Sequence, residues 1–235
     1  MNEPGTRRLR ALLFDFDHTL ADLGRWVDWA QARAELAALY AGAGVDAEAI
    51  FRRPGAFSVI QALDEALAER HSRARAEAVK AEAFEILATH ERAGAARAGL
   101  LPGAATALDA ATASGLGLAI VSANAESAVR CALERLGLED RFAAVVGRTP
   151  TLPLKPEPHM FREALRLLDC PAEGALVVGD SPNDMRAAAA AEILAVGVRG
   201  GEGSQEKLFA SGACYVLADL SALPTLLALW VRAAD

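Results

Sequence analysis

The sequence predicts an α/β fold: a doubly wound, Rossmann-like, mostly parallel sheet, interrupted early by a helical bundle. Three observations lead there. A short apolar run, Arg10 to Phe14, stops abruptly at acids and reads as a buried strand. From Asp22 to about Gly99 no comparable run follows, only Ala-, Leu-, Glu- and Arg-rich segments at helical spacing. After Leu101-Pro102-Gly103, short apolar runs alternate with helical segments, the pattern of parallel strands with helices on both faces. Residues 1–20 and 100–235 are therefore assigned to one sheet domain, and residues 21–99 to an inserted α-helical cap.

Each element follows from its own pattern. In the insert, Trp26, Ala30, Arg33-Ala34 and Ala37-Ala38 share one predicted helix face. Val59, Leu63 and Leu67 mark a second helix, and Val79, Ala83, Ile86 and Leu87 a third. Gly42-Ala43-Gly44 and Pro54-Gly55 are expected turns. Beyond the insert, strands are expected at Leu116–Val121, Phe142–Val146, Leu176–Val178, Ile193–Val198 and Cys214–Leu217. Helices are expected at Ala125–Leu136, Pro158–Leu168 and through Asp184 to Ala191, whose alanine run suits close packing on a sheet.

Composition narrows the class. Of 235 residues, 53% are hydrophobic and 23% charged, which excludes a disordered chain. Alanine makes up over a fifth of the chain and favours helices, because it loses no side-chain entropy there. The net charge of -7 argues against nucleic acid as a partner, though it leaves room for a small anionic substrate beside a metal or lysine. Three cysteines, Cys131, Cys170 and Cys214, make no disulfide framework, so a cytoplasmic setting is expected. None lies near a histidine at zinc-ligand spacing. MNEPGTRRLR is not followed by a signal-peptide core, and Leu217–Val231, broken by Asp219 and Pro224, is too short to span a bilayer, so no membrane partner is expected.

Polar residues gather where predicted strands end. Asp15 and Asp17 follow the first, within Phe14-Asp15-Phe16-Asp17-His18-Thr19-Leu20. Ser122 and Asn124 follow the second, Lys155 lies in the loop after the third, and Asp180 ends the fourth, within Gly179-Asp180-Ser181-Pro182-Asn183-Asp184. In open α/β sheets ligands bind at the carboxyl ends of strands, so these groups should converge on one cleft. Asp15, Asp17, Asp180 and Asp184 would repel one another there. A hard divalent cation resolves that repulsion, and an oxygen-only donor set favours Mg²⁺. Mg²⁺ shares its shell with substrate phosphate, so the cleft is expected to take a small phosphorylated metabolite. Lys155, the Ser122 hydroxyl and the backbone N–H groups of Phe16 and Ala123 are the candidate phosphate donors. One of the paired acids can attack phosphorus while the other moves a proton.

These residues resemble the signature motifs of the haloacid dehalogenase superfamily. Phe14 to Leu20 is similar to its first motif, Ser122 to the second, Lys155 to the third, and Gly179-Asp180 through Asp184 to the fourth. The helical insert after the first motif resembles the cap of the phosphoglycolate-phosphatase-like and β-phosphoglucomutase-like branch. Leu101-Pro102-Gly103-Ala104 and Lys155-Pro156-Glu157-Pro158 fit that branch too. The resemblance implies a Mg²⁺-dependent phosphohydrolase with Asp15 as nucleophile and Asp17 as general acid and base. It further implies that Ser122 binds the phosphoryl group and that Lys155 offsets its charge. Asp15, the Asp17 carbonyl and Asp180 would bind the metal, supported by Asp184, with Thr19 and Asn124 among the phosphate-binding residues. The chain departs from the pattern at His18, where glycine is common, at Ala123, where asparagine often follows the hydroxyl residue, and at Glu192, where a late-helix glycine is common.

Arg52 and Arg53 are read as a solvated pair in a cap loop, Trp26 and Trp29 as packing for the first cap helix, and His71, His90 and His159 as surface or helix-end residues. A phosphomutase shares every core residue and stays as the alternative. A dehalogenase needs neither metal nor second acid, and a non-enzymatic receiver-like switch needs no cap. The oligomeric state is not legible.

Overall fold

The computed structural model describes residues 9–52, 56–201 and 203–232. Six strands form one parallel sheet: β1 (Ala11–Phe14), β2 (Gly117–Ala125), β3 (Ala144–Arg148), β4 (Ala175–Gly179), β5 (Leu194–Val198) and β6 (Tyr215–Leu217). Their order is β3-β2-β1-β4-β5-β6, so the winding reverses between β1 and β4. A ligand crevice belongs at that reversal.

Helices α1 (Trp29–Gly42), α2 (Ala47–Ile50), α3 (Ala56–Ala68) and α4 (Arg73–Ala95) come before the rest of the sheet. Then follow α5 (Ala104–Ala113), α6 (Glu126–Leu136), α7 (His159–Leu167), α8 (Pro182–Ala190), α9 (Gln205–Ala210) and α10 (Leu223–Arg232).

The strands are apolar throughout because both faces are covered. In β1, Leu12 and Phe14 join one cluster with residues of α5, α6 and α10, whereas Ala11 and Leu13 join another with residues of α7, α8 and α9. That is the period of two expected of a strand, with each fully buried large side chain contributing about 1.5–3 kcal/mol. Ala187 and Ala188 of α8 lie in the second cluster.

The helical segment has a third cluster, built on Leu36, Tyr40, Leu63, Leu67, Val79 and Ala83. It leaves and rejoins the sheet domain at one place. Asp22 N–H donates to the Gly99 carbonyl at 3.1 Å, Gly99 N–H donates to the Asp22 carboxylate at 2.6 Å, and Leu101 N–H donates to the Leu20 carbonyl at 2.9 Å. Ala88 and Ala95 of α4 also belong to the first cluster, so the helical segment packs onto the sheet as well as on itself.

Several boundaries differ from expectation. β2 runs four residues past Val121, and its register with β3 shifts between Val121 and Ala125, so Ser122 and Asn124 sit inside a bulged strand end. β3 ends at Arg148 rather than Val146, since Gly147 and Arg148 are as buried as the valines. The buried face of α1 is Ala32, Leu36 and Tyr40, not the predicted alanine face, because Leu and Tyr have far more apolar area to hide than Ala. Trp26 lies in a 3-10 turn before α1. Trp29 is 48% exposed, its indole N–H donating to the Gly24 carbonyl, so it packs no core. His90 is mostly buried within α4, 3.1 Å from Glu35 Oε2. Pro54, Gly55 and Arg53 lie outside the described residues, and Arg52 is exposed. No helix among the described residues is long and apolar enough to cross a membrane.

Candidate active site

The site is built at the sheet's point of reversal. Asp15 directly follows β1, and its N–H donates to the Val178 carbonyl at 2.9 Å, which fixes it beside the end of β4. Asp180 directly follows β4. Asp184 is the third residue of α8 and forms a capping box: its N–H donates to Ser181 Oγ at 3.2 Å, and Ser181 N–H donates back to Asp184 Oδ2 at 3.0 Å. Gly179 permits this, since a Cβ there would lie 2.6 Å from the Asp184 carboxyl carbon.

Lys155 arrives from the loop after β3. Its ammonium donates to Asp15 Oδ1 at 2.7 Å, to Asp184 Oδ1 at 2.5 Å and to the Val121 carbonyl at 3.0 Å. All of its donors are thus used in a buried setting. Burial works against the charged ammonium, but Asp15 and Asp184 outweigh it and hold its pKa above the ordinary value.

Asp15, Asp180 and Asp184 are all buried, with ligand oxygens within 4.8 Å of one another. Burial raises the Asp15 pKa well above its ordinary range, Lys155 opposes the rise, and Asp184 and Asp180 add to it. Three carboxylates and one ammonium leave a formal charge of -2, which one divalent cation balances. The donor set is oxygen only, which suits a hard cation. Both Asp184 oxygens are engaged by Lys155 and Ser181, so Asp15 and Asp180 are better placed as ligands. Asp180 also accepts from Thr19 Oγ1 at 3.2 Å.

The Asp17 carboxylate stands apart from that group. It accepts from Gly24 N–H at 2.9 Å, and burial raises its pKa, with Gly24 and His18 partly opposing the shift. A carboxyl that protonates more readily than usual suits proton transfer. His18, directly after Asp17, takes a left-handed φ of 61°. That conformation is free for glycine and strained for histidine, which explains glycine's frequency at this motif position.

On the opposite wall, Ser122 Oγ donates to Asn124 Oδ1 at 2.9 Å and accepts from Asn124 N–H at 3.1 Å. A cavity of about 630 Å³ is lined by Asp15, Asp17, Ser122, Ala123, Asn124, Lys155, Asp180 and Asp184 together. Phe16 and Thr19 are not in that lining: the Phe16 ring is in the core, and Thr19 is buried behind its bond to Asp180.

Sequence reasoning missed one pair. Glu91 of α4 and Arg148 at the end of β3 form a buried, two-pronged ion pair, both bonds 2.9 Å. Glu91 also accepts from Asn124 Nδ2 at 3.2 Å and Ala125 N–H at 2.8 Å, and Arg148 donates to the Ala123 carbonyl at 2.7 Å. The pair fastens the helical segment to the strand end that carries Ser122. A signal existed: Glu91 is the one acid on the apolar stripe Ala88-Glu91-Ala95 of α4, and Arg148 is a polar strand end like the others.

Known proteins resemble this chain in sequence and in fold. A phosphoglycolate phosphatase from Rhodospirillum rubrum is 36% identical over 146 residues, which are 62% of this chain and 60% of that protein. One from Rhodobacter capsulatus is 30% identical over 178 residues, 76% of this chain and 78% of that protein. The match thus spans less than two thirds of the first relative's length and more than two thirds of the second's. Among solved structures, CbbY from Rhodobacter sphaeroides in complex with xylulose-(1,5)bisphosphate superposes with a TM-score of 0.62 at 25% identity, covering 91% of this chain and 95% of that one. The haloacid dehalogenase-like hydrolase family matches residues 12–198, and the chain belongs to that family.

Proposed function

We propose that this protein is a Mg²⁺-dependent phosphohydrolase that cleaves a phosphomonoester through an aspartyl-phosphate on Asp15. The observation that carries the reading is the pairing of a buried three-carboxylate group, held by Lys155, with a separate acid, Asp17, held by Gly24. Two relatives named as phosphoglycolate phosphatases, and a neighbour solved with a sugar bisphosphate, support it.

In this mechanism an Asp15 oxygen attacks phosphorus as the bond to the leaving oxygen breaks, and Asp17 gives that oxygen its proton. Water then attacks the aspartyl-phosphate, Asp17 takes the water's proton, and inorganic phosphate leaves with Asp15 restored. Lys155 keeps Asp15 oriented and offsets its charge. Ser122, Asn124 and the Ala123 N–H face the phosphoryl oxygens from the β2 side, with the Ser122 hydroxyl turning from Asn124 to bind. Phe16 N–H and Thr19 complete the loop after β1. Mg²⁺, held by Asp15, the Asp17 carbonyl and Asp180 with Asp184 in support, would neutralise the acids and polarise the phosphoryl group. Residues 21–99 serve as the cap that excludes water. The free cysteines, Cys131, Cys170 and Cys214, suit a reducing compartment such as the cytoplasm.

The test is hydrolysis of an aryl phosphate with purified protein. Turnover should require Mg²⁺ and vanish in Asp15→Asn. Full activity in EDTA, or in Asp15→Asn, contradicts the reading.

A further inference from the structure

The cavity changes character along its length. One part of its lining is the carboxylate group and Ser122, and another is apolar: Leu36 of α1, Phe51, Leu63 of α3, and Phe84 and Leu87 of α4. Ile60 of α3 packs against the sheet domain's second cluster, which also holds Leu154, so the apolar end is roofed by the helical segment. At about 630 Å³ the space is mid-range for cavities that enclose a drug-sized ligand, roughly 300–1,000 Å³. A two-carbon ester such as phosphoglycolate would leave most of that apolar wall in contact with water.

The cations do not favour a second anionic group either. Arg25, Arg33 and Arg148 all line the cavity, and each has an acid. Arg25 Nη1 lies 3.8 Å from Asp22, Arg33 Nη2 lies 3.6 Å from Glu48, and Arg148 is bound at both prongs by Glu91. Lys155 is shared between Asp15 and Asp184. No cation lining the apolar end is left without a carboxylate among the described residues.

We propose that this end of the cavity binds the leaving alcohol, and that the alcohol is an uncharged apolar body of several carbons, alkyl or aryl, rather than a short carboxylate. The inference rests on the phosphohydrolase reading and adds its substrate class. The phosphate sits on the acids and cation, and the carbon body lies along Leu63, Phe84 and Leu87 toward Leu36. Each methylene fully buried there is worth about a fourfold gain in kcat/KM.

The experiment compares methyl, butyl and hexyl phosphate with phosphoglycolate, all with Mg²⁺. The unactivated alkyl esters have similar leaving groups, so their differences report binding of the carbon chain. kcat/KM should rise at least tenfold from methyl to hexyl phosphate, and hexyl phosphate should exceed phosphoglycolate. Leu87→Gln should flatten the rise by placing an amide on the apolar wall. A flat or falling series, or a preference for phosphoglycolate, overturns the substrate class and leaves the phosphohydrolase reading standing. Inactivity toward all four and toward an aryl phosphate overturns that reading and the substrate class with it.

Discussion

Gly24 N–H donates to Asp17 Oδ1 at 2.9 Å, and a Cβ on Gly24 would overlap the second oxygen of the same carboxylate. Glycine is thus required there by close approach: the residue that holds Asp17 has room for no side chain. Gly24→Ala should push the Asp17 carboxylate away from the cavity's reacting end. A misplacement of about 1 Å can cost on the order of 10²-fold in rate, so kcat should fall by about that factor in a variant that still folds. Steady-state turnover alongside circular dichroism checks this. Unchanged kcat would mean that Asp17 is not positioned by Gly24.

The buried Glu91–Arg148 pair gives a second prediction. Removing one partner strands the other charge in a buried site, a loss of about 3–5 kcal/mol. Glu91→Gln should lower stability by that order in urea unfolding. Adding Arg148→Met to Glu91→Gln should recover much of the loss, since no guanidinium is then left buried without its carboxylate. Equal stability of Glu91→Gln and the parent would show that the pair does not fasten the helical segment.

A third prediction concerns pH and metal. The folded-state pKa of Asp15 is raised above its ordinary 3.8, mainly by burial. A raised carboxylate pKa means that the folded state binds this proton more tightly than the unfolded state. The associated stability is fully present below the ordinary value and is lost as pH rises through the raised one. Without divalent cations, Tm should therefore fall as pH climbs above about 4, and Asp15→Asn should weaken that dependence. Mg²⁺ should raise Tm more at the upper end of this window, where Asp15 is ionised and ready to bind it. A Mg²⁺ shift that is the same at both ends, or absent, would contradict the acidic group's assignment.

Much of this was legible in the sequence because strands and their ends announce themselves. Parallel strands buried on both faces are continuous apolar runs, so β1, β4 and β5 could be placed to within a residue or two. The acids and lysine that follow them could then be expected in one cleft, which is where Asp15, Asp180, Asp184 and Lys155 lie. The helical segment is less legible. Alanines at helical spacing are compatible with several faces, and the buried face of α1 was decided by Leu36 and Tyr40 instead. Helices α5 and α10 stand out less, since runs of alanine and leucine have no sharp start. The Glu91–Arg148 pair joins residues 57 apart in sequence, and its meaning appears only when α4 lies over the end of β2. The apolar cavity likewise belongs to no motif, because its walls come from α1, α3 and α4 at once.

The central claim is that Asp15 carries the phosphoryl group. The most direct measurement uses Asp17→Asn protein, in which discharge of the intermediate lacks its base. The protein is mixed with Mg²⁺ and acetyl phosphate, quenched in acid, digested and examined by mass spectrometry. The peptide that contains Asp15 should gain the mass of one phosphoryl group, and the gain should be absent when Asp15 is also replaced by Asn. A phosphoryl group found on another residue, or a variant that turns over at the parent rate with none trapped, would contradict the account.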